Sequence, residues 1–163
     1  MAESGAARFR FRALRLRDAL DVRAWRYPGE YAMYDMALAP LLVAALLRWP
    51  LRALYGVSYY AVASESDPLV GVYSLSRRGV DIEIGVGLRP DLTSRGLGLP
   101  FVCAGLELAR RRYHPQTFSL RVATVNRRAF TLYERAGFVP GPIERTSFQG
   151  KPYDEMRMSR PAV

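Results

Sequence analysis

The residues between positions 81 and 108 follow the pattern strand, glycine-rich turn, helix, and this succession constrains the fold more strongly than any other part of the chain. From Asp81 to Leu88, apolar β-favouring residues alternate along the chain, which predicts a strand; Pro90 ends it, because proline has no amide for a ladder. Ser94 to Gly98 carries two glycines, and the apolar spacing that follows predicts a helix. Such a turn directs several backbone N–H groups and a helix dipole at one point. The pattern therefore predicts an anion site, typically for phosphate.

The residues of the turn exclude two common phosphate-binding motifs. A dinucleotide-binding turn has a third glycine where this chain has Phe101, and a P-loop has a lysine, whereas the only lysine here is Lys151. A glycine-rich turn before a helix is also compatible with a tight turn that binds nothing. The turn alone therefore leaves the ligand open.

A second pattern follows the next predicted strand, in residues 126–138. Asn126 is a favoured helix cap, Gly137 supplies a left-handed stop, and Phe138 supplies the apolar contact that often follows such a stop. Tyr133 lies on the apolar face of the predicted helix, so core packing is one interpretation of this residue. Its surroundings in the motif favour a functional interpretation.

These residues resemble the two motifs of the GNAT superfamily of acyl-CoA-dependent N-acetyltransferases. Thr93 to Gly98 is similar to the R/Q-x-x-G-x-G/A motif, with Thr93 in place of Arg or Gln. Residues 126–138 match the N-x-x-A-x-x-x-Y-E-x-x-G-F motif at every defined position. The aromatic stretch 25–34 is similar to a bacterial branch of the superfamily. The resemblance implies a single N-acetyltransferase domain over residues 1–163.

The order of predicted elements agrees with the fold that the resemblance implies. That fold is α/β, with a splayed, mostly antiparallel mixed sheet of about six to seven strands and helices on both faces. An antiparallel meander leads into the glycine-rich turn, a hairpin ends the chain, and Asp18 is expected to cap the first helix. The predicted strands are 9–16, 57–63, 69–76, 80–88, 117–124, 139–148 and 153–158. The predicted helices are 18–25, 41–47, 97–113 and 126–136.

The resemblance implies acetyl-CoA (coenzyme A) as the cofactor, bound by the amides of the turn and by the strand before it. Arg127 and Arg128, at the start of the second helix, are candidates to pair with the remaining phosphates. The implied cofactor-binding residues are Val86, Gly87, Leu88, Thr93, Ser94, Arg95, Gly96, Leu97, Gly98, Leu99, Asn126, Arg128, Ala129 and Tyr133.

The resemblance also implies direct acetyl transfer, in a ternary complex, to a primary amine of a small molecule, a protein N-terminus or a lysine. Tyr133 matches the general acid, and a phenol with a pKa of about 10 assists a departing thiolate mainly as a hydrogen-bond donor. Glu83, with Asp81 second, is the candidate base for the ammonium proton, directly or through water; an exposed ion pair is the alternative for Glu83. An amide at Val86 or Gly87 is placed to hold the developing oxyanion.

The acceptor site is the part that the sequence leaves most open. Trp25, Tyr27, Tyr31 and Tyr34 suit either a core lid or a wall of the acceptor site, and Glu83 completes the candidate substrate-binding residues. The positive net charge of the chain would repel a cationic acceptor, so a local acidic patch would be needed to bind one. An acceptor with acidic groups, or a protein N-terminus, is the alternative.

Charge and composition limit the remaining classes. The net charge of +9 attracts anions, but the arginines are scattered, so we expect no specific nucleic-acid partner. The apolar run 36–47 is too short for a membrane span of about 20 residues. Cys103 is the only cysteine, which fits the cytoplasm. The only histidine, His114, lies about 16 Å further along the same predicted helix, too far to activate Cys103 as a nucleophile.

We expect a monomer or homodimer without metal. A non-catalytic acyl-CoA-binding module is the first alternative, and a basic nucleic-acid-binding protein is the second.

Overall fold

Seven strands of the described residues form one mixed sheet. The computed structural model describes residues 9–35, 56–148 and 150–163. The strands are β1 (Arg10–Ala13), β2 (Val57–Ala63), β3 (Gly71–Arg78), β4 (Asp81–Leu88), β5 (Thr117–Ala123), β6 (Val139–Phe148) and β7 (Lys151–Pro161), in the order β1-β2-β3-β4-β5-β7-β6. The helices are α1 (Leu16–Arg23), α2 (Gly98–Tyr113) and α3 (Arg127–Arg135), with short 3₁₀ helices at Gly29–Tyr34 and Pro90–Leu92.

The sheet splits between β4 and β5, its only parallel neighbours among the described strands. These two strands pair at Ile82 with Phe118 and at Glu83 with Ser119, and then separate. Beyond Glu83, β4 runs to Leu88 with β3 on one side and no described strand on the other. The predicted fold class, a splayed and mostly antiparallel sheet of this size, is confirmed.

Helices cover both faces of the sheet, as predicted. Side chains alternate along a strand, so Tyr60 and Val62 of β2 join the core beneath α2 and α3, whereas Ala61 joins the core beneath α1. α2 packs so closely that a Cβ at Gly105 would lie 2.1 Å from the ring of Tyr73 on β3. This close approach fixes α2, and with it the turn before α2, against the sheet.

The first helix begins differently from the prediction. α1 follows Arg15, so Asp18 lies in its first turn rather than at the cap, and β1 is shorter than the predicted strand 9–16 because Leu16 already belongs to the helix. The Asp18 carboxylate accepts hydrogen bonds from the Arg15 amide (2.8 Å) and from Arg12 of β1 (2.7 Å). The aspartate thus satisfies one free amide of the helix start and ties α1 to the sheet.

Several other strand boundaries differ from the prediction by one to three residues. β3 extends to Arg78, because Gly79, with φ of 65°, and Val80 form the turn into β4. β7 is longer than the predicted range 153–158, because its second half pairs with β5. The predicted helix 41–47 lies outside the described residues. In the part of the chain that the structure describes, no helix is long and apolar enough to span a membrane.

Candidate functional site

A cavity of about 840 Å³ opens where β4 and β5 separate. It is bounded by the free edge of β4, the turn before α2, the first turns of α3 and the 3₁₀ helix Gly29–Tyr34. Its volume lies in the range of about 300–1,000 Å³ that is typical of ligand sites. The fold thus brings together three segments that are distant in sequence: the 3₁₀ helix, the continuous stretch from β4 to the start of α2, and α3.

The free edge of β4 presents backbone groups to the cavity. Alternate residues of an antiparallel strand direct their N–H and C=O groups towards the partner strand, and Arg89 donates its amide to Val70 next to β3 (2.9 Å). The register between β3 and β4 continues without a bulge, so Gly87 directs its amide to β3 and Val86 directs its amide away from it. Val86, Gly87 and Leu88 all line the cavity, but the alternation favours the Val86 amide as the free donor.

The glycine-rich turn has the backbone geometry of an anion site. Ser94 and Gly96 have positive φ values of 61° and 78°, and the Thr93 hydroxyl donates to the Pro90 carbonyl (2.7 Å). α2 begins at Gly98, so the first amides of this helix have no helical acceptor. The turn residues that line the cavity are Thr93, Ser94, Gly96, Gly98 and Leu99, whereas Arg95 and Leu97 do not line it.

The start of α3 is fixed as predicted. Asn126 caps the helix, and its Oδ1 accepts a hydrogen bond from the Ala129 amide (3.1 Å). Gly137 follows the helix with φ of 86°, and Phe138 is buried, which confirms the predicted stop. Because both ends of this short helix are fixed, Tyr133 has a defined position on the cavity wall.

Arg128 joins three elements at the mouth of the cavity. Its Nη1 donates to the Ser94 hydroxyl (3.0 Å), and its guanidinium lies over the ring of Tyr31, with 4.8 Å between the guanidinium carbon and the ring centroid. Arg128 is exposed and lines the cavity, whereas Arg127 is exposed and does not. The guanidinium of Arg128 therefore lies beside the glycine-rich turn.

Tyr133 presents a free hydroxyl to the cavity. The residue is 8% exposed, and its ring makes an edge contact with Phe138, with 6.1 Å between centroids. No described residue forms a hydrogen bond with its hydroxyl. Burial raises the pKa of Tyr133 well above the ordinary tyrosine value, and the nearby Tyr34 and Tyr27 add to this effect. The phenol is therefore protonated at neutral pH and available as a donor.

Three tyrosines of the aromatic stretch also line the cavity. The Tyr27 hydroxyl donates to the Leu88 carbonyl (2.7 Å), and burial raises the pKa of Tyr27 to about 12. The Tyr34 hydroxyl accepts from the Ala123 amide at the end of β5 (3.2 Å). Tyr27 thus contacts β4 and Tyr34 contacts β5, so the stretch spans the split in the sheet. We name Tyr27, Tyr31 and Tyr34 the tyrosine wall.

Trp25 lies apart from the tyrosine wall. It is 8% exposed and packs in the core beneath α1 with Leu14 and Val22, so it does not line the cavity. The aromatic stretch therefore has both of the roles that the sequence left open. Its tryptophan belongs to the core, and its tyrosines form a wall.

The two candidate bases, Glu83 and Asp81, lie outside the cavity lining. The Glu83 carboxylate is 3.5 Å from Nε of Arg121 and 4.0 Å from Arg78. Arg121 itself, on β5, lines the cavity. Glu83 therefore lies behind Arg121 as seen from the cavity.

Arg121 also contacts two carboxylates that lie far from β4 in sequence. Its Nη1 is 3.0 Å from Glu155 of β7 and 3.9 Å from Glu144 of β6. Glu155 is 9% exposed and also accepts a hydrogen bond from the Tyr153 hydroxyl (3.3 Å). We name Arg121, Glu83, Glu144 and Glu155 the arginine cluster. No sequence pattern predicted it, because the register of β5, β7 and β6 brings these residues together.

The family model of the acetyltransferase (GNAT) domain matches residues 8–139. The chain belongs to the GNAT acetyltransferase family. This GNAT protein is therefore an acetyl-CoA-dependent N-acetyltransferase, which transfers an acetyl group to an amine. The family, the enzyme class and the cofactor that the sequence predicted are confirmed.

Solved structures with the same fold include spermidine N-acetyltransferases from Vibrio cholerae. The one in complex with CoA and spermine has a TM-score of 0.74 and 18% identity, covering 94% of this GNAT protein and 95% of that chain. The one with manganese ions has a TM-score of 0.72 and 17% identity, covering 94% and 92%. A dodecameric one has a TM-score of 0.70 and 18% identity, covering 94% of each chain. No curated protein matches the sequence.

Proposed function

We propose that the cavity binds acetyl-CoA along the free edge of β4 and transfers the acetyl group directly to a primary amine in a ternary complex, within one domain over residues 1–163. Bound acetyl-CoA supplies a thioester carbonyl for the amine to attack and a thiolate as the leaving group. One observation carries the proposal: the free edge of β4, the start of α2 and the Tyr133 hydroxyl all open into the same cavity.

The turn fits the phosphate groups of the cofactor. The amides of Gly98 and Leu99 begin α2 without helical acceptors, and the helix dipole adds positive potential there. No described atom lies within 4 Å of the position that a Cβ of Gly96 would occupy, so the surface of the turn is open at this residue. Arg128, which already contacts Ser94, supplies a charge for the same group.

Two donors that line the cavity assist the reaction. The Val86 amide stabilises the negative charge that develops on the thioester oxygen; removal of one oxyanion-hole donor costs about 2.7–4 kcal/mol in a serine protease. Tyr133 donates a hydrogen bond to the sulfur. A thiol has a pKa of about 8.5, and the pKa of Tyr133 is raised by burial, so full proton transfer from the phenol is unfavourable. Tyr133 therefore acts by hydrogen bonding.

We assign removal of the ammonium proton to Glu83, acting through water. A water route is needed because the Glu83 carboxylate lies outside the cavity lining and faces Arg121 at 3.5 Å. Asp81, the second candidate, also lies outside the lining. The contribution of each carboxylate is measured from the pH dependence of kcat/KM in Glu83→Gln and in Asp81→Asn.

The acceptor is a primary amine of a small molecule or a peptide, and the tyrosine wall is the surface against which it lies. The V. cholerae enzymes are named for spermidine and spermine, but their similarity to this chain is one of fold. We propose a cytoplasmic enzyme that is a monomer or a homodimer, in contrast to the dodecameric V. cholerae enzyme. Light scattering of the purified protein measures this state.

The proposed function is tested by cofactor binding and by product formation. CoA at 100 times its Kd stabilises a protein by about 2.7 kcal/mol, which raises the Tm of a domain of this size by about 5–10 °C. Acetyl-CoA is then incubated with a panel of primary amines, and acetylated products are identified by mass spectrometry. A Tm shift without any acetylated amine would identify a non-catalytic acyl-CoA-binding module. No shift at millimolar CoA would refute the proposal.

A further inference from the structure

Arg121 occupies the centre of a group of carboxylates on the β5 side of the cavity. Three strands contribute one carboxylate each to this guanidinium: Glu83 from β4, Glu155 from β7 and Glu144 from β6. The side chains of Glu83 and Glu155 are only 19% and 11% exposed. Carboxylates that are this buried need a cation beside them. In the arginine cluster this cation is a side chain of the protein, Arg121, and not a bound ligand.

The arginine cluster is continuous with the tyrosine wall. Tyr34 contacts the end of β5 through the Ala123 amide (3.2 Å). Burial, and to a smaller extent the charge of Glu155, raises the pKa of Tyr34, so this phenol lies in the field of the cluster. The phosphate-binding turn lies beside Arg128, whose guanidinium stacks on Tyr31, whereas Tyr34 lies at the end of β5, the strand that carries Arg121. The space between the tyrosine wall and Arg121 is therefore the space left for the acceptor.

The groups around this space suit an acceptor with an apolar body and oppose a second positive charge on it. The charged side chains among the described lining residues are Arg121, Arg128 and Arg135. Aromatic faces with polar edges bind amphipathic amines well. A second ammonium group on the acceptor would be repelled by Arg121, because Arg121 already occupies the position next to the carboxylates of the arginine cluster.

We propose that the acceptor is a monoamine with an aromatic or branched apolar body, and that Arg121 excludes polycations by occupying the carboxylates that would otherwise bind a second ammonium group. This inference rests on the proposed function, because it names the substrate class of the same site. It makes Arg121 a specificity-determining residue. It also predicts an acceptor different from spermidine, for which the V. cholerae enzymes that share the fold are named.

The wild-type protein provides the first test, with phenethylamine and spermidine as acceptors at equal concentration and saturating acetyl-CoA. We expect kcat/KM for phenethylamine to exceed that for spermidine by about tenfold or more, the size of one unfavourable charge contact. Spermidine as the better acceptor would overturn the inference and leave the proposed function intact. No product from either amine, or from a wider amine panel, would instead count against the proposed function.

Variants of Arg121 provide the second test. Arg121→Gln leaves the three carboxylates without their cation, so kcat/KM for spermidine should rise about tenfold relative to kcat/KM for phenethylamine. Arg121→Lys keeps the positive charge and should show no such rise. Arg145→Gln is the matched control: it removes an exposed arginine, paired with Asp154 at 2.9 Å, outside the cavity lining. Each variant is first checked for a cooperative thermal transition and a native circular dichroism spectrum. An unchanged acceptor ratio in folded Arg121→Gln would overturn the role of this residue, and if that variant does not fold, the wild-type comparison decides.

Discussion

Replacing Tyr133 by Phe removes one hydroxyl from the cavity and leaves the packing of α3 intact. The ring is 8% exposed and contacts the Phe138 ring at 6.1 Å, and phenylalanine preserves this contact. Because no described residue bonds to the hydroxyl, its removal leaves no described partner unsatisfied. The free energy of unfolding should therefore stay within about 1 kcal/mol of the wild-type value. Any change in turnover then reports on the reaction and not on folding.

The expected size of the effect follows from the role of Tyr133 as a donor to developing charge. A hydrogen bond to a charged group contributes about 1.5–3 kcal/mol, and each 1.36 kcal/mol corresponds to a tenfold change in rate. We therefore expect kcat of Tyr133→Phe to fall about 10- to 100-fold. The Kd for CoA should change by less than about twofold, because the bond strengthens only as the thiolate forms.

The assay follows release of CoA thiol with a chromogenic disulfide at saturating acetyl-CoA, and calorimetry gives the Kd for CoA. Glu134→Gln is the matched control, because this exposed neighbour on α3 does not line the cavity. The pKa of Tyr133 is raised above the ordinary value of about 10, so the phenol should add no falling limb to the pH–rate profile below that pH. A kcat in Tyr133→Phe within twofold of wild type would refute the reasoning.

Three other changes test the fold and the cofactor end of the cavity. Gly105→Ala places a Cβ 2.1 Å from a core tyrosine ring, so a urea titration should show a loss of about 1–3 kcal/mol. Asp18→Ala removes the carboxylate that binds Arg12 and the Arg15 amide and should cost about 1.5–3 kcal/mol. Burial opposes ionisation of Asp18, but hydrogen bonds from Arg12 and the Arg15 amide outweigh it and lower its pKa. This contribution is therefore present above about pH 4 and lost as the pH falls through the native pKa, a dependence that the variant should lack. Arg128→Gln should weaken CoA binding about fivefold and reduce its salt dependence in calorimetry, because one charged contact to phosphate is lost; an unchanged affinity would remove Arg128 from the phosphate site.

Local chemistry made much of the fold predictable from the sequence. Asn126 and Gly137 fix the ends of α3 through contacts within a few residues, and both have the predicted conformation. The glycine-rich turn was recognised for the same reason, since its amides and positive φ values are properties of adjacent residues. The turn and the cap are also the two parts of the family resemblance.

The acceptor side was less predictable because strand register and packing determine it. Trp25 and Tyr27 are close in sequence, yet one packs in the core beneath α1 and the other lines the cavity. Glu83 has the expected place on β4, but its partner Arg121 comes from the neighbouring strand and Glu155 from the strand beyond. Pairing between distant strands has no signal in a short stretch of sequence, so the arginine cluster required a structure.

The two pairs of residues that join β4 to β5 have a consequence for how such an enzyme diversifies. β4 carries the edge that we propose for the cofactor, and β5 and β7 carry Arg121 and Glu155, so the short junction at Glu83 and Ser119 lies between these two groups of residues. We therefore expect substitutions at Arg121 or Glu155 to alter which amine is accepted without changing the residues of β4 that are proposed to bind the thioester.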